Sequence, residues 1–125
     1  MKVIDTTVAI DHLRGLEAAT TLLSGLMSAG HDIYACELVR FELLAGARQR
    51  ELSALEGFMS AIAWVPVNED IARLAGRLAL RFGLSHTGIY AADYLIGATA
   101  LLLRAELLTT NVRHFPMLER LRPAY

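Results

Sequence analysis

Three carboxylates interrupt apolar stretches of this chain at widely separated positions. Asp5 follows the apolar pair Val3-Ile4 and precedes two threonines. Glu42 lies in the segment RFELLAGAR, and Asp93 lies in YAADYLIGATAL. A buried carboxylate without a partner is costly, or its pKa rises until it is neutral, so each of these acids needs a compensating group. A divalent cation is the simplest such group.

The helical phase around Glu42 distinguishes it from the nearby acid Glu37. The two positions are about 140° apart around a helix, so they cannot share a face. Glu42 aligns with the apolar residues Leu38 and Val39. Glu37 lies near the predicted helix start, where the helix dipole favours an acid without any further role. Glu42 is therefore the functional candidate of the pair.

Asp93 and Asp5 each have a purely structural alternative. Asp93 stands near the start of a predicted helix, where an acid stabilises the exposed N–H groups. Asp5 is also explained as a turn residue at the end of a strand. Gly97 and Ala100 follow Asp93 along its stripe, and such small residues would let a ligand or another backbone approach. Three such acids in one short chain favour a shared functional site.

Strand-like and helical segments alternate along the chain. The predicted strands are residues 2–5, 32–35, 64–67 and 106–109, with a possible edge strand at 121–122. The predicted helices are residues 8–14, 17–29, 37–47 and 51–62, one capped by Asn68, one around Asp93, and a short piece at 112–118. This alternation predicts an α/β fold with a central parallel sheet and helices on both faces. Asp5, at the end of the first strand, would face the loop edge where such folds bind ligands.

Composition limits the kind of protein. The 125 residues are enough for one domain, residues 1–125, and 54% of them are hydrophobic, with a mean hydropathy of +0.40. No segment reaches the roughly 18 apolar residues of a membrane span. Asp5 precedes any possible signal-peptide core, and the single cysteine, Cys36, fits a reducing compartment, so we expect a cytoplasmic protein. The net charge of −1 provides no overall basic field for nucleic acid.

Four segments carry the candidate residues: IDTT at residues 4–7, ELLAG at 42–46, DYLIGATA at 93–100 and LTTNVRHF at 108–115. In this order and spacing they resemble the motifs of PIN-domain ribonucleases, and more narrowly those of VapC-type toxins of bacterial type II toxin–antitoxin pairs. The resemblance extends over essentially the whole chain. It implies a PIN-like three-layer α/β/α fold with a short central parallel sheet.

The resemblance also implies a metal site. Asp5, Glu42 and Asp93 would gather around Mg²⁺ or Mn²⁺, and the cation would activate a water that hydrolyses RNA, leaving a 3′-hydroxyl and a 5′-phosphate. The fourth position falls at Asn111, where many relatives carry aspartate. Asparagine removes one charge and leaves a neutral oxygen ligand or an amide that positions water. This departure bears on whether two metals bind.

Three further residues are assigned from their positions. Thr6 would hydrogen-bond Asp5 or a substrate phosphate, with simple helix capping as an equal alternative. Arg113 and His114 adjoin Asn111 and are placed to contact substrate phosphate.

The resemblance further implies a homodimer and a cognate VapB-type antitoxin, whose C-terminal segment would cover the acidic cleft with a basic side chain. The apolar residues 22–27 favour packing against another chain.

Two other classes remain open. A catalytically dead PIN-like module that binds RNA or protein is suggested by Asn111, but the retained Asp5, Glu42 and Asp93 argue against it. A phosphoacceptor signalling domain also places acids around Mg²⁺, yet that chemistry requires a lysine near the late strands, and no lysine follows Lys2. The sequence does not distinguish transfer, ribosomal and messenger RNA as substrates, because all present the same phosphodiester.

Overall fold

A four-stranded parallel sheet forms the centre of the protein, which is described over residues 1–125 by a computed structural model. The strands are β1 (Lys2–Ile4), β2 (Ile33–Cys36), β3 (Ala63–Val65) and β4 (Glu106–Leu108), in the spatial order β3-β2-β1-β4. β1 is thus internal, paired with β2 on one side and β4 on the other. Because the chain proceeds to β2 and β3 on one side of β1 and later adds β4 on the other, the order of strands reverses beside β1. Ligands of open α/β sheets bind at such a reversal, outside the carboxyl ends of the strands.

Six helices surround this sheet. They are α1 (Thr6–Leu13), α2 (Glu17–Ser28), α3 (Glu37–Gly46), α4 (Leu52–Ser60), α5 (Glu69–Phe82) and α6 (Ala91–Leu103), with 3₁₀ turns at Gln49–Glu51 and Val112–His114. The consecutive β1 residues Val3 and Ile4 point to opposite faces of the sheet, and both are fully buried. Both faces are therefore covered, which confirms the predicted three-layer α/β/α architecture. None of the six helices combines the length and the apolar character that crossing a membrane requires.

The pairing of α5 with α6 follows the predicted amphipathic pattern. Ile71 and Ala75 on α5 pack with Tyr94 and Ala98 on α6 in a second, smaller core. Asn68 caps α5 as predicted, since its side-chain oxygen accepts a hydrogen bond from the Ile71 N–H at 2.9 Å. This packing holds the start of α6, and with it Asp93, against the body of the protein.

Three predicted elements differ from the observed ones. α1 begins at Thr6, earlier than the predicted residue 8, because the Asp5 side chain rather than a threonine caps it. No strand forms at residues 121–122, because Arg120 adopts a left-handed conformation with φ of 60°. Only one backbone bond, from Ala124 N–H to the Thr109 carbonyl at 2.9 Å, joins this segment to the end of β4. Likewise the helical piece predicted at 112–118 is a single 3₁₀ turn, Val112–His114.

The apolar residues of α2 face the core of their own chain. Leu23 is buried, and Leu22 and Leu26 pack against the main core cluster. Met27 is 39% exposed, and Leu22 and Leu26 remain partly accessible on the wall of a surface cavity. The expectation that residues 22–27 contact another chain stays a prediction.

Candidate functional site

Asp5 lies in the gap between the carboxyl ends of β1 and β4. It is 4% exposed, and its backbone N–H donates to the Leu108 carbonyl at 3.0 Å. One carboxylate oxygen, Oδ1, accepts from the Thr6 N–H at 2.7 Å, which caps α1. The other, Oδ2, accepts from the hydroxyls of Thr7 at 3.1 Å and Thr109 at 2.7 Å. The carboxylate is therefore held in one orientation by α1 and by the residue that follows β4.

Burial raises the pKa of the Asp5 carboxyl above its usual value. The hydrogen bonds from Thr109, Thr6 and Thr7 act in the opposite direction, and the negative charge of Asp93 raises the pKa further. Asp5 and Asp93, which belong to distant parts of the sequence, thus share one electrostatic environment. This environment lacks a positive charge to stabilise the ionised form of Asp5.

Glu42 is connected to Asp5 through Thr6. The Thr6 hydroxyl donates to Glu42 Oε1 at 2.7 Å, while the Thr6 backbone N–H serves Asp5. Thr6 thus hydrogen-bonds Asp5 as expected, but it does so through its backbone N–H, because its hydroxyl is directed to α3. Glu42 is half-buried, and its second oxygen accepts no hydrogen bond.

Asp93 lies in the first turn of α6 with its side chain 14% exposed. Its Oδ2 accepts from the Tyr90 N–H at 3.0 Å, and His114 Nδ1 lies 3.4 Å from the same oxygen. The helix-capping alternative is thus correct for Oδ2. Oδ1 accepts no hydrogen bond and is available for another ligand, so capping and ligand binding are compatible in this residue.

Asn111 is joined to the acids through Thr109, the residue whose hydroxyl also binds Asp5. The Asn111 backbone N–H donates to that hydroxyl oxygen at 3.0 Å, and the Asn111 side chain is exposed. Arg113 is exposed and makes no ion pair, and His114 is half-buried beside Asp93. Hydrogen bonds and close electrostatic contacts thus connect Asp5 with Thr6, Glu42, Asp93, Asn111 and His114, whereas Arg113 makes no contact with the acids.

The arrangement fits a hard divalent cation that retains water ligands. No three Asp, Glu, His or Cys side chains form a ready-made metal shell. Mg²⁺, however, is usually bound through one or two carboxylates together with waters and substrate phosphates. Glu42 and Asp93 each keep one oxygen without a hydrogen bond, and Asp5 Oδ1 accepts only one. Oxygen donors alone, with net negative charge, suit Mg²⁺ or Mn²⁺.

Sequence reasoning gave no role to two residues of this site. Thr109 enters the sequence analysis only as part of the segment LTTNVRHF, although its hydroxyl contacts both Asp5 and Asn111. Tyr90 was not singled out, although its backbone N–H binds Asp93. The available signal for Thr109 was its position, because a hydroxyl residue directly after a buried strand lies at the same edge as Asp5.

Comparison with known proteins gives consistent matches over the full chain. The family model described as PIN domain matches residues 2–120. Ribonuclease VapC19 of Mycobacterium tuberculosis is 62% identical over 125 residues, covering 100% of both chains. Ribonuclease VapC10 of the same organism is 37% identical over 125 residues, covering 100% of this chain and 93% of that protein.

The fold also matches solved structures. A chain of a toxin–antitoxin complex from Klebsiella pneumoniae superposes with a TM-score of 0.82 at 22% identity, covering 100% of this chain and 98% of that one. At this level of identity the match concerns the fold, and it agrees with the sheet order and the six helices described above.

Proposed function

This chain belongs to the PIN-domain family, and on that basis we propose that its carboxylates bind Mg²⁺ or Mn²⁺ and hydrolyse RNA, as the toxin of a toxin–antitoxin pair. The similarity to ribonucleases over the full length supports RNA as the substrate. The fold shared with a toxin–antitoxin complex supports the assignment as a toxin. We place the activity in the cytoplasm and in a single domain, residues 1–125.

The observation that carries this proposal is the environment of Asp5. A carboxylate that is 4% exposed, with a raised pKa and a second carboxylate nearby, is stabilised when a cation binds beside it. The same residue lies where the strand order reverses, at the position where α/β folds bind ligands. A purely structural acid would be better satisfied by a basic partner, and Asp5 makes no ion pair.

Some residues of the site would bind the cation, and others orient the carboxylates that bind it. Asp5, Glu42 and Asp93 would hold the cation, and Asn111 would add a neutral oxygen or position a water. When bound, the cation lowers the pKa of a water and offsets charge on the leaving oxygen. The Thr6 and Thr109 hydroxyls orient Glu42 and Asp5 through hydrogen bonds of 2.7 Å each.

The metal requirement can be measured directly. We expect the purified protein to cleave RNA in Mg²⁺ or Mn²⁺ and to lose this activity completely when EDTA is in excess. The variant Asp5→Asn, purified in the same way, controls for contaminating nuclease and should be inactive under all conditions. Undiminished cleavage by the wild-type protein in EDTA would exclude the metal mechanism.

A groove beside Glu42 supports the antitoxin assignment. α1, α3 and α4 enclose a cavity of about 480 Å³, and Glu42 lies on its wall together with apolar residues such as Ile10, Leu43 and Leu55. The groove thus shares Glu42 with the acidic site. We propose that the C-terminal segment of the antitoxin occupies this groove and directs a basic side chain at the acids, since such a pair would neutralise partly desolvated carboxylates.

We also propose a homodimer. Exposed apolar side chains outside α2 add candidate surfaces for this contact. Phe41, at 65% exposure, together with Leu44 gives α3 an apolar exterior, and Leu80 and Leu84 are exposed at the end of α5. Covering such side chains favours association. Light scattering that gives the mass of a stable monomer would contradict this proposal.

A further inference from the structure

Tyr90 presents an aromatic ring to solvent beside the acidic site. At 71% exposure its side chain is more accessible than any other Phe, Tyr or Trp of the chain. Its backbone N–H nevertheless has a fixed task, since it donates to Asp93 Oδ2 at 3.0 Å and begins α6. The backbone that binds Asp93 therefore also sets the position of the Tyr90 ring. The ring itself does not pack into the core.

A polar cleft lies next to Asp93, because its lining residue His114 has Nδ1 3.4 Å from Asp93 Oδ2. It has a volume of about 600 Å³ and lies between His86, Thr87 and Gly88 of the loop before α6 and the turn that contains Arg113 and His114. No acidic residue lines it, although the site next to it contains three carboxylates. Its volume lies within the range of sites that hold small-molecule ligands.

Arg113 lines this cleft, and its guanidinium has no ion-pair partner. It makes no ion pair or side-chain hydrogen bond, although other arginines such as Arg40 and Arg73 are paired with glutamates. Its neighbour His114 lies 3.4 Å from Asp93 Oδ2, the oxygen that Tyr90 also contacts. An exposed guanidinium next to a nuclease site has the geometry to bind phosphate through two parallel N–H groups.

We propose that Tyr90 and Arg113 form a binding subsite for one unpaired nucleotide next to the scissile phosphate. The base stacks on the Tyr90 ring, the flanking phosphate is bound by Arg113, and the backbone follows the cleft between the His86–Thr87–Gly88 loop and the Arg113–His114 turn. The subsite depends on the RNA hydrolysis proposed above and defines its substrate more narrowly.

The chemistry of these groups selects single-stranded RNA. A base in a duplex has both faces stacked on its neighbours, so an exposed ring can stack only on a base that is already unpaired in a loop, bulge or end. Stacking does not depend on base identity, because every base has a π face. The subsite therefore selects accessible unpaired positions, and it leaves the choice among loops to other contacts.

The first test compares Tyr90→Leu with Tyr90→Phe. Both keep the backbone N–H that binds Asp93, but only phenylalanine keeps an aromatic face. Binding of a short fluorescein-labelled single-stranded RNA is measured by anisotropy in EDTA, so that cleavage does not interfere. We expect Tyr90→Leu to bind roughly 5- to 150-fold more weakly, and Tyr90→Phe to bind like the wild-type protein. In Mg²⁺ the loss should appear mainly in KM, with kcat changed little.

The second test concerns charge. Arg113→Ala should weaken binding and reduce the dependence of log affinity on log salt concentration by about one counterion. Arg122→Ala is the matched control, because Arg122 is also exposed but lines a different cavity with Lys2. It should leave both quantities unchanged. Melting temperatures of all four variants show whether any of them is misfolded.

The outcomes separate the subsite from the ribonuclease activity itself. If the wild-type protein does not cleave RNA in Mg²⁺ or Mn²⁺, the proposed function fails. If it cleaves RNA and Tyr90→Leu binds RNA as tightly as Tyr90→Phe, the subsite is excluded. A change confined to the oligomeric state or to antitoxin affinity in Tyr90→Leu would likewise overturn it and would assign the ring to a protein contact.

Discussion

Asp5 combines a structural and a chemical task in one carboxylate. Its Oδ1 caps α1, and its Oδ2 is held by the hydroxyls of Thr7 and Thr109. Capping and hydrogen bonding stabilise the fold, whereas burial of the charge opposes it, as the raised pKa of Asp5 shows. The net effect on stability therefore depends on whether the carboxyl is ionised.

This balance gives a prediction for Asp5→Asn. Asparagine can still cap α1 and hydrogen-bond the two hydroxyls, but it cannot ionise. Because the pKa of Asp5 is raised in the folded state, that state binds the proton more tightly than the unfolded chain. The contribution of Asp5 to stability is then greatest below the unfolded pKa and falls as pH rises through the folded pKa. In EDTA, we expect Asp5→Asn to melt at or above the wild-type temperature at neutral pH.

The difference between the two proteins should shrink as pH falls towards the unfolded pKa, since the wild-type carboxyl then becomes neutral as well. Thermal denaturation at several pH values measures this directly. Asp5→Ala is the control for the hydrogen bonds, and it should be less stable than Asp5→Asn by about 1 kcal/mol, because the cap is lost. A melting difference between wild type and Asp5→Asn that is constant with pH would show that ionisation of Asp5 is not responsible.

Asn111 stands at the position where the resemblance to PIN-domain ribonucleases implies a fourth acid. Asn111→Asp adds a negative oxygen next to the environment shared by Asp5 and Asp93. We expect tighter Mn²⁺ binding in calorimetry, retained RNA cleavage and lower stability without metal, because like charges repel. Weaker Mn²⁺ binding would place residue 111 outside the metal site.

At the scale of the elements, Gly76 inside α5 and Gly83 at its C-terminal cap can be compared. A Cβ on Gly76, inside the helix, would meet no atom within 4 Å, whereas a Cβ on Gly83 would lie 2.6 Å from the Ala79 carbonyl oxygen. We expect Gly76→Ala to stabilise the fold by about 0.5–1 kcal/mol, because alanine restricts the unfolded chain and favours helix. Gly83→Ala should destabilise it, since the obstacle is backbone. Urea denaturation measures both, and equal effects of the same sign would contradict this explanation.

Gly97 belongs to the stripe of small residues on α6 that was expected to admit a ligand or another backbone, but side chains of the same chain occupy that space. The small residues along α6 predict a close approach, and the structure confirms one. The approaching groups are Met117 and Phe115, and a Cβ on Gly97 would lie 3.0 Å from the Met117 sulfur. They belong to the chain itself, so this part of α6 is filled by core packing and does not receive a ligand.

Much of the fold follows from local sequence patterns. Strand β4 was predicted at residues 106–109 and occupies Glu106–Leu108, because a short apolar run between polar residues has few other conformations available. The start of α1 could not be predicted in the same way. It depends on the Asp5 carboxylate turning back to the Thr6 N–H, and the orientation of that carboxylate is set by Thr109.

In the candidate site, too, some residues could be predicted from the sequence and others could not. Asp5, Glu42 and Asp93 stand out in the sequence, because each is an acid in apolar surroundings. The residues that hydrogen-bond or contact these acids do not stand out in the sequence. The bond between Thr109 and Asp5 arises from the pairing of β1 with β4, and the approach of His114 to Asp93 requires the turn after β4 to fold against α6. Such contacts depend on strand register and tertiary packing, which a single sequence does not specify.

At the scale of the whole molecule, inhibition by the antitoxin should be coupled to metal. If a basic antitoxin side chain and the divalent cation use the same carboxylates, each weakens the other, and the coupling is reciprocal. We therefore expect the apparent inhibition constant of the antitoxin to rise with Mg²⁺ concentration at fixed ionic strength. An increase in NaCl that matches the ionic strength is the control. Inhibition that is indifferent to Mg²⁺ would show that the antitoxin acts without entering the acidic cleft.

The bond between Thr109 and Asp5 also bears on when the protein becomes active during translation. The two residues are 104 positions apart, and β1 has no partner on that side until β4 is made. At about 5–20 residues per second, synthesis of the intervening chain takes roughly 5 to 20 seconds. Throughout that time the ribosome carries a nascent chain whose first acid lacks the strand and hydroxyl that orient it. We therefore expect translation products that end before β4 to lack a fully formed carboxylate site.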